Sequence, residues 1–205
     1  HFEKGSFSLK NKEFDTAIGE LTRAIEINPN SAESYANRGE AFRKKEDYDR
    51  ALADFDAALK LNPRDLFART NRAGILCQKQ DYDRSAADFD EVWRQNPNYD
   101  FLYEKRGACY ENRDMLREAL ADYNKALSID PEESWTYFRR GFVHFLLNED
   151  EEAIADYTEK LRRTPEDFAT YSNRGAAYQR LGKRRLAAED FKKTQELKAA
   201  SDKNS

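Results

Sequence analysis

The chain has 205 residues, of which 36% are charged and 13% aromatic, with a formal net charge of −4. Its mean hydropathy is −1.00 and its isoelectric point is near 5.5. So much charge excludes one thick globular core, although helices that bury one stripe and wet the other need no more apolar material than this. The aromatic share excludes a disordered acidic chain. The acidic balance argues against a generic polyanion binder, and no run approaches the length of a membrane span or reads as a signal peptide. Cys77 and Cys109 stand in neither a C-x-x-C nor a zinc spacing, and read as two reduced thiols of a cytoplasmic or other reducing intracellular compartment.

The five prolines, Pro29, Pro63, Pro97, Pro131 and Pro165, lie 34 residues apart. A fixed spacing of every proline marks a repeat architecture. The stretch from Tyr35 to Pro63 shows the unit: Tyr35, Arg38, Gly39 and Phe42 on one helix, Ala51 and Phe55 on a second, and Pro63 as the stop. In chain order, the first unit carries Gly5, Ala17, Leu21, Ala24 and Pro29. The second has Gly39, Ala51, Phe55, Ala58 and Pro63. The third has Ala73 in the glycine place, then Ser85, Phe89, Val92 and Pro97. The fourth has Gly107, Ala119, Tyr123, Ala126 and Pro131. The fifth has Gly141, Ala153, Tyr157, Lys160 and Pro165. The sixth has Gly175, Ala187, Phe191 and Thr194, with Ala199 where proline would fall. The small residue on the first helix lets the second approach, the alanine meets it, and the large residue four places on fills the space beside the contact. Proline ends the second helix.

This pattern resembles the tetratricopeptide repeat family over essentially the whole chain. The place usually held by Trp is Tyr35, Tyr103, Tyr137 or Tyr171, and Arg69 in the third unit. The usual Leu before the Gly is Arg38, Arg72, Arg106, Arg140 or Arg174. The resemblance implies an all-α fold, a right-handed superhelical solenoid of six helix-turn-helix repeats. The repeats run over about 1–31, 32–65, 66–99, 100–133, 134–167 and 168–199, as one solenoid followed by a frayed tail at 200–205. The first helix is expected to be short, and Gln195 gives the last repeat a polar outer face.

Sixteen residues after each of the five arginines stands an acid: Asp54, Asp88, Asp122, Asp156 and Asp190, with Lys4 and Glu20 keeping the same signs in the first unit. This predicts a structural ladder of ion pairs, worth ~0–1 kcal/mol each if partly exposed.

No catalytic set emerges. His144 occupies the place of Phe42, Tyr110 and Tyr178 and reads as a packed core residue. No phosphate-cradling glycine loop appears, and the carboxylates fall on solvated faces. The expectation is a non-enzymatic chain without cofactor or metal.

The resemblance further implies that first helices line a concave groove. The fifth unit places Trp135, Phe138, Phe142, Phe145 and Leu146 on that face, although Tyr137, Val143, His144 and Leu147 already serve the core. Phe67 and Phe101 extend the patch, and Arg139 and Lys105 lie beside it. A helix apolar on all sides calls for something to cover it. The expected function is therefore a scaffold that holds a protein or peptide partner in the groove, with no nucleic acid or membrane partner. The alternative is an assembly module whose patch is buried by self-association or by the rest of a longer chain. Some relatives grip the C-terminal Glu-Glu-Val-Asp of heat-shock chaperones through a carboxylate clamp. Here every register of that clamp is incomplete; the first, Phe2, Ser6, Asn37, Phe67 and Asn71, keeps only Asn37.

Overall fold

The computed structural model describes residues 1–202, and among them contains twelve α-helices and no strand. They are α1 (Phe2–Lys10), α2 (Phe14–Ile27), α3 (Ala32–Lys44), α4 (Tyr48–Leu61), α5 (Leu66–Gln78), α6 (Tyr82–Gln95), α7 (Asp100–Asn112), α8 (Leu116–Ile129), α9 (Ser134–Leu146), α10 (Asp150–Arg163), α11 (Phe168–Arg180) and α12 (Arg184–Asp202). The first helix is nine residues long where the other first helices have thirteen. The chain divides into two compact units, His1–Lys105 and Arg106–Ser205, the division falling within α7. The sequence suggested a single solenoid; a repeat array has no central core, because each repeat packs only on its neighbours. Helix α12 continues through Asp202, across the start of the tail expected at 200–205. Positions 203–205 of that tail lie outside the described residues.

Backbone chemistry explains the period. Each second helix before a proline ends two residues ahead of it. The intervening residue is extended, as at Asn62 (φ −132, ψ 91) and Asp130 (φ −121, ψ 94), because the following proline ring excludes the helical region there. In four of these turns the side-chain oxygen accepts from the backbone N–H two residues on, at 3.2 Å for Asn28, 3.1 Å for Asn62, 3.0 Å for Asn96 and 2.9 Å for Asp130, which closes an Asx turn.

The turn inside each repeat is a left-handed cap. Lys12, Glu46, Gln80, Asp114, Asn148 and Gly182 have φ of 64, 60, 65, 58, 61 and 70. The next residue returns its N–H to a carbonyl five positions back: Glu13 to Ser8, Asp47 to Phe42, Asp81 to Leu76, Met115 to Tyr110, Glu149 to His144 and Lys183 to Tyr178, all at 2.9 Å. This satisfies carbonyls that a helix end otherwise leaves orphaned.

The packing follows the small residue of each first helix. A Cβ added to Gly39 would lie 3.0 Å from the Phe55 ring and 3.2 Å from Asp54 Cβ; at Gly107 it would lie 2.8 Å from the Tyr123 ring, and at Gly175 2.9 Å from the Phe191 ring. Phe55, Tyr123 and Tyr157 are all but fully buried. In the third repeat Ala73 stands in the glycine place, and Ser85 Oγ donates to its carbonyl at 2.8 Å.

The ion-pair ladder forms within every repeat. Arg38 Nε and Nη2 donate to both oxygens of Asp54 at 2.8 and 2.7 Å, and Arg72 meets Asp88, Arg106 Asp122, Arg140 Asp156 and Arg174 Asp190 in the same way. Lys4 reaches Glu20 at 2.8 Å. The aspartates are about 5% exposed, so breaking a pair strands a buried charge and costs more than the net worth expected of a partly exposed pair. Removing one partner of a buried pair costs about 3–5 kcal/mol, and the one-fifth exposure of the arginines places these near the lower end. The hydrogen bond that each guanidinium donates to its aspartate is the main cause raising the pKa of Arg38, Arg140 and Arg174, against desolvation.

The left-handed caps generate a stability prediction. A non-glycine residue in this region costs roughly 1–2 kcal/mol, part of which glycine returns through a freer unfolded chain. Gln80→Gly is therefore expected to stabilise the chain by about 0.5–1 kcal/mol, and Gly182→Ala to destabilise it by a similar amount. Urea unfolding of both variants checks the pair of signs.

Candidate partner-binding site

The residues that the sequence assigns to a partner surface lie on the first helices α5, α7 and α9. Phe67, Phe101 and Lys105 belong to the first unit, and Trp135, Phe138, Arg139, Phe142, Phe145 and Leu146 to the second. Successive first helices touch within each unit, α1 with α3, α3 with α5, and α9 with α11.

In the first unit Phe67 and Phe101 stack, ring centroids 6.1 Å apart and planes 10° from parallel. Tyr99 meets Phe101 edge-on at 6.1 Å, and burial is the main cause that raises its phenol pKa to about 12. Phe67 also packs against the core of Ala36, Phe42, Ala51 and Phe55, so it is only in part a surface residue. Lys105 Nζ stands 4.7 Å from the centre of the Phe101 ring, and its Cδ lies 3.9 Å from where a Cβ on Gly74 would be. Nearby on α3, Arg43 and Glu40 form a two-point ion pair with both contacts at 2.6 Å. Asn71 on α5 is 1% exposed; its Nδ2 donates to the Phe67 carbonyl at 3.1 Å, while its Oδ1 has no hydrogen-bond partner.

In the second unit Trp135 lies flat on Phe138, centroids 4.8 Å apart and planes at 15°, and Phe138 continues to Tyr157 at 6.0 Å. Trp135 is 51% exposed and Leu146 43%, whereas Phe138, Phe142 and Phe145 are half-buried. Phe145 is capped by its own chain. The Arg180 guanidinium sits 3.7 Å above its ring and donates to its carbonyl at 2.6 Å, while also pairing with Asp150.

The sequence sets Arg139 beside the patch. Its Nε lies 3.1 Å from the Tyr123 hydroxyl and 3.0 Å from Glu111 Oε2, and Tyr123 donates to Glu111 at 2.8 Å. Burial is the main cause pushing the Tyr123 phenol pKa up, with the Glu111 carboxylate acting the same way against the Arg139 charge. Arg139 is thus anchored by a partly buried network of its own chain. His144 is likewise not purely a packing residue, since its Nδ1 lies 2.7 Å from Glu149 in the turn before α10.

Sequence reasoning missed Lys160. It stands in a place held elsewhere by Ala24, Ala58 and Ala126. It is 6% exposed, its Nζ is 5.6 Å from the Trp135 ring centre, and it pairs with Asp167 at 3.5 Å. A charged residue at a small-residue place was the available signal. The cysteine reading is also corrected. Cys77 and Cys109 are both disulfide-bonded rather than two reduced thiols.

Among the described residues no group of three or more His, Cys, Asp and Glu side chains is arranged to hold a metal ion, and no helix is long and apolar enough to cross a membrane.

Sequence models of the tetratricopeptide repeat match residues 32–65 and 75–134. No curated protein matches the chain. Among solved structures, PilW, a widely conserved type IV pilus biogenesis factor, is similar with a TM-score of 0.81 at 17% identity, covering 92% of this chain and 88% of PilW. TTC0263, a thermophilic TPR protein of Thermus thermophilus, gives 0.77 at 19%, covering 87% and 97%. YrrB, a TPR protein with an unusual peptide-binding site, gives 0.63 at 21%, covering 86% and 91%. At these identities the likeness speaks for the fold alone. Two repeat matches, twelve helices in six pairs and a 34-residue period converge: the chain belongs to the tetratricopeptide repeat family, whose members are protein-interaction scaffolds.

Proposed function

We propose that this scaffold holds a partner segment against its first helices, and that the aromatic side chains of α9 are the main contact in the second unit. The observation that carries the reading is Trp135. A tryptophan stacked on Phe138 yet 51% exposed keeps a large apolar face in water, and such a face gains most from being covered. Lys160 beneath the ring fixes one side of it, so the indole is held in place before any partner arrives and loses little freedom on binding. Phe142 and Leu146 lie on the same helical face as Trp135 and Phe138, which extends the contact along the helix. Phe145 contributes less, because Arg180 already covers it. The partner is a protein segment with apolar side chains at the spacing of an extended strand or a helix face. The carboxylate clamp of the chaperone-binding relatives is incomplete here, so a chaperone C-terminus is not the proposed ligand.

A partner captured by cross-linking to the α9 face provides the ligand for the test. Covering one such side chain contributes about 1.5–3 kcal/mol. Trp135→Ala combined with Phe142→Ala is therefore expected to weaken binding about a hundredfold. The same double variant should melt closer to the parent than Tyr137→Ala, because Tyr137 lies under the Arg163 and Arg140 guanidinium groups at 4.7 and 5.6 Å. Unchanged affinity in a folded double variant would remove α9 from the contact. Unfolding of that variant would show that these aromatics are core.

A further inference from the structure

Lys160 departs from the repeat's own rule. Its place holds Ala58, Val92, Ala126 and Thr194 in repeats two, three, four and six, and the place twenty-five residues earlier holds tryptophan only in the fifth. The one repeat with a cation here is thus the one with an indole there. Lys160 is 6% exposed, and an ammonium so far from water needs partners that compensate it.

Those partners join three helices. From α10, Lys160 Nζ stands 5.6 Å from the centre of the Trp135 ring and 3.5 Å from Ser134 Oγ, both at the start of α9. It also stands 3.5 Å from Asp167 Oδ2, in the turn before α11. Asp167 divides its carboxylate. Oδ1 accepts from the Ala169 and Thr170 backbone N–H groups at 3.1 and 3.2 Å and so caps α11, which leaves Oδ2 for Lys160. The backbone of Trp135 is fixed separately, its N–H donating to Glu133 Oε1 at 2.8 Å. The ring, 51% exposed, rests on Phe138. A half-exposed side chain in the first turn of a helix otherwise moves between staggered rotamers within nanoseconds. The attraction between an ammonium and the face of an indole is lost when the ring turns away.

We propose that Lys160 is a positioning residue of the partner site: its ammonium holds the Trp135 indole in the orientation that receives the partner, and its contact with Asp167 makes that orientation depend on the cap of α11. This rests on the α9 reading above and adds that the contact surface of the fifth repeat is set from the sixth. Lys160 acts through Trp135, since its own side chain is buried beneath the surface that a partner covers. A side chain spread over three staggered wells presents the binding one about a third of the time, and apparent affinity falls in proportion. Loss of the positioning contact is therefore expected to weaken binding about threefold, far less than loss of the indole itself.

The test needs no partner. Trp93 and Trp135 are the two tryptophans of the chain, so fluorescence of the Trp93→Phe chain reports Trp135 alone. Lys160→Ala and Lys160→Met are made in that chain. Alanine is the residue of this place in repeats two and four, and methionine keeps an unbranched apolar stem without the charge. Both are expected to add a fast component to the anisotropy decay, on the order of a nanosecond or less, and to increase quenching by acrylamide. Asp167→Asn keeps a capping oxygen for α11 and removes the charge that Lys160 meets, so it is expected to release the indole as well, from a residue of the next repeat. An unchanged decay in Lys160→Ala would overturn the positioning role. Restraint that survives in Lys160→Met would assign it to packing of the stem and overturn the part played by the ammonium. A fast component in the lysine variants that is missing in Asp167→Asn would overturn the link to α11. These outcomes are read on the free chain, so they stand apart from the α9 reading, which falls only on the Trp135 and Phe142 variants.

Discussion

A carboxylate buried on the second helix of each repeat, met by one basic residue sixteen positions earlier, is the constraint on which the repeats depend. Asp54, Asp88, Asp122, Asp156 and Asp190 are 4–5% exposed, and an anion so far from water needs a partner with matching geometry. The planar guanidinium offers two parallel donors, which a lysine ammonium cannot. Its remaining nitrogen then reaches one repeat back. Arg38 donates to Thr22, Arg72 to Asp56, Arg140 to Asn124 and Arg174 to Thr158, at 3.1, 2.7, 2.7 and 3.1 Å. One side chain therefore sets both the spacing of a helix pair and its register on the preceding pair. The small residue next in sequence is part of the same device. Any side chain on Gly39, Gly141 or Gly175 would press on the β-carbon of the paired aspartate and on the neighbouring ring.

The third repeat shows how far the pattern bends. It has Ala73 for glycine, Ser85 for alanine and Arg69 for the aromatic residue. Ser85 ties its hydroxyl to the Ala73 carbonyl. Arg69 donates to the Pro63 carbonyl at 2.7 Å, as the Tyr103 hydroxyl does to the Pro97 carbonyl at 2.6 Å, and adds a second cation to Asp88 at 3.2 Å. The interactions change partners while the helix pair persists. This is the expected behaviour of a fold built from local units that each satisfy their own polar groups.

What could be read in advance follows from these local rules. Prolines at a fixed interval fix the ends of second helices, and a basic residue sixteen places before an acid predicts a pair, because both depend on sequence separation alone. Half of the left-handed caps were not legible: Lys12, Glu46 and Gln80 have no intrinsic preference for positive φ, whereas Gly182, Asn148 and Asp114 are residue types that favour it. In the candidate site, the placing of Trp135 and Phe138 on one helical face was legible from helical spacing. The contacts that decide availability were not. Arg180 over Phe145, Tyr123 and Glu111 around Arg139, and Lys160 under Trp135 each bring together residues 12 to 35 positions apart, and depend on rotamers and on how neighbouring repeats pack. The disulfide-bonded state of Cys77 and Cys109 lay equally outside any spacing rule.

The division of labour among the charges follows from the same physics. The five ladder arginines are each given an aspartate, whereas Lys105 lies over the Phe101 ring. The central claim is that the arginine–aspartate pair, rather than apolar packing alone, holds each helix pair, and a double-mutant cycle at Arg140 and Asp156 tests it most directly. Urea unfolding of Arg140→Met, Asp156→Leu and the double variant gives the coupling energy. Each single change strands a buried charge, which the double change removes, so a coupling of about 2 kcal/mol is expected. A coupling below about 0.5 kcal/mol, with additive single effects, would contradict the account.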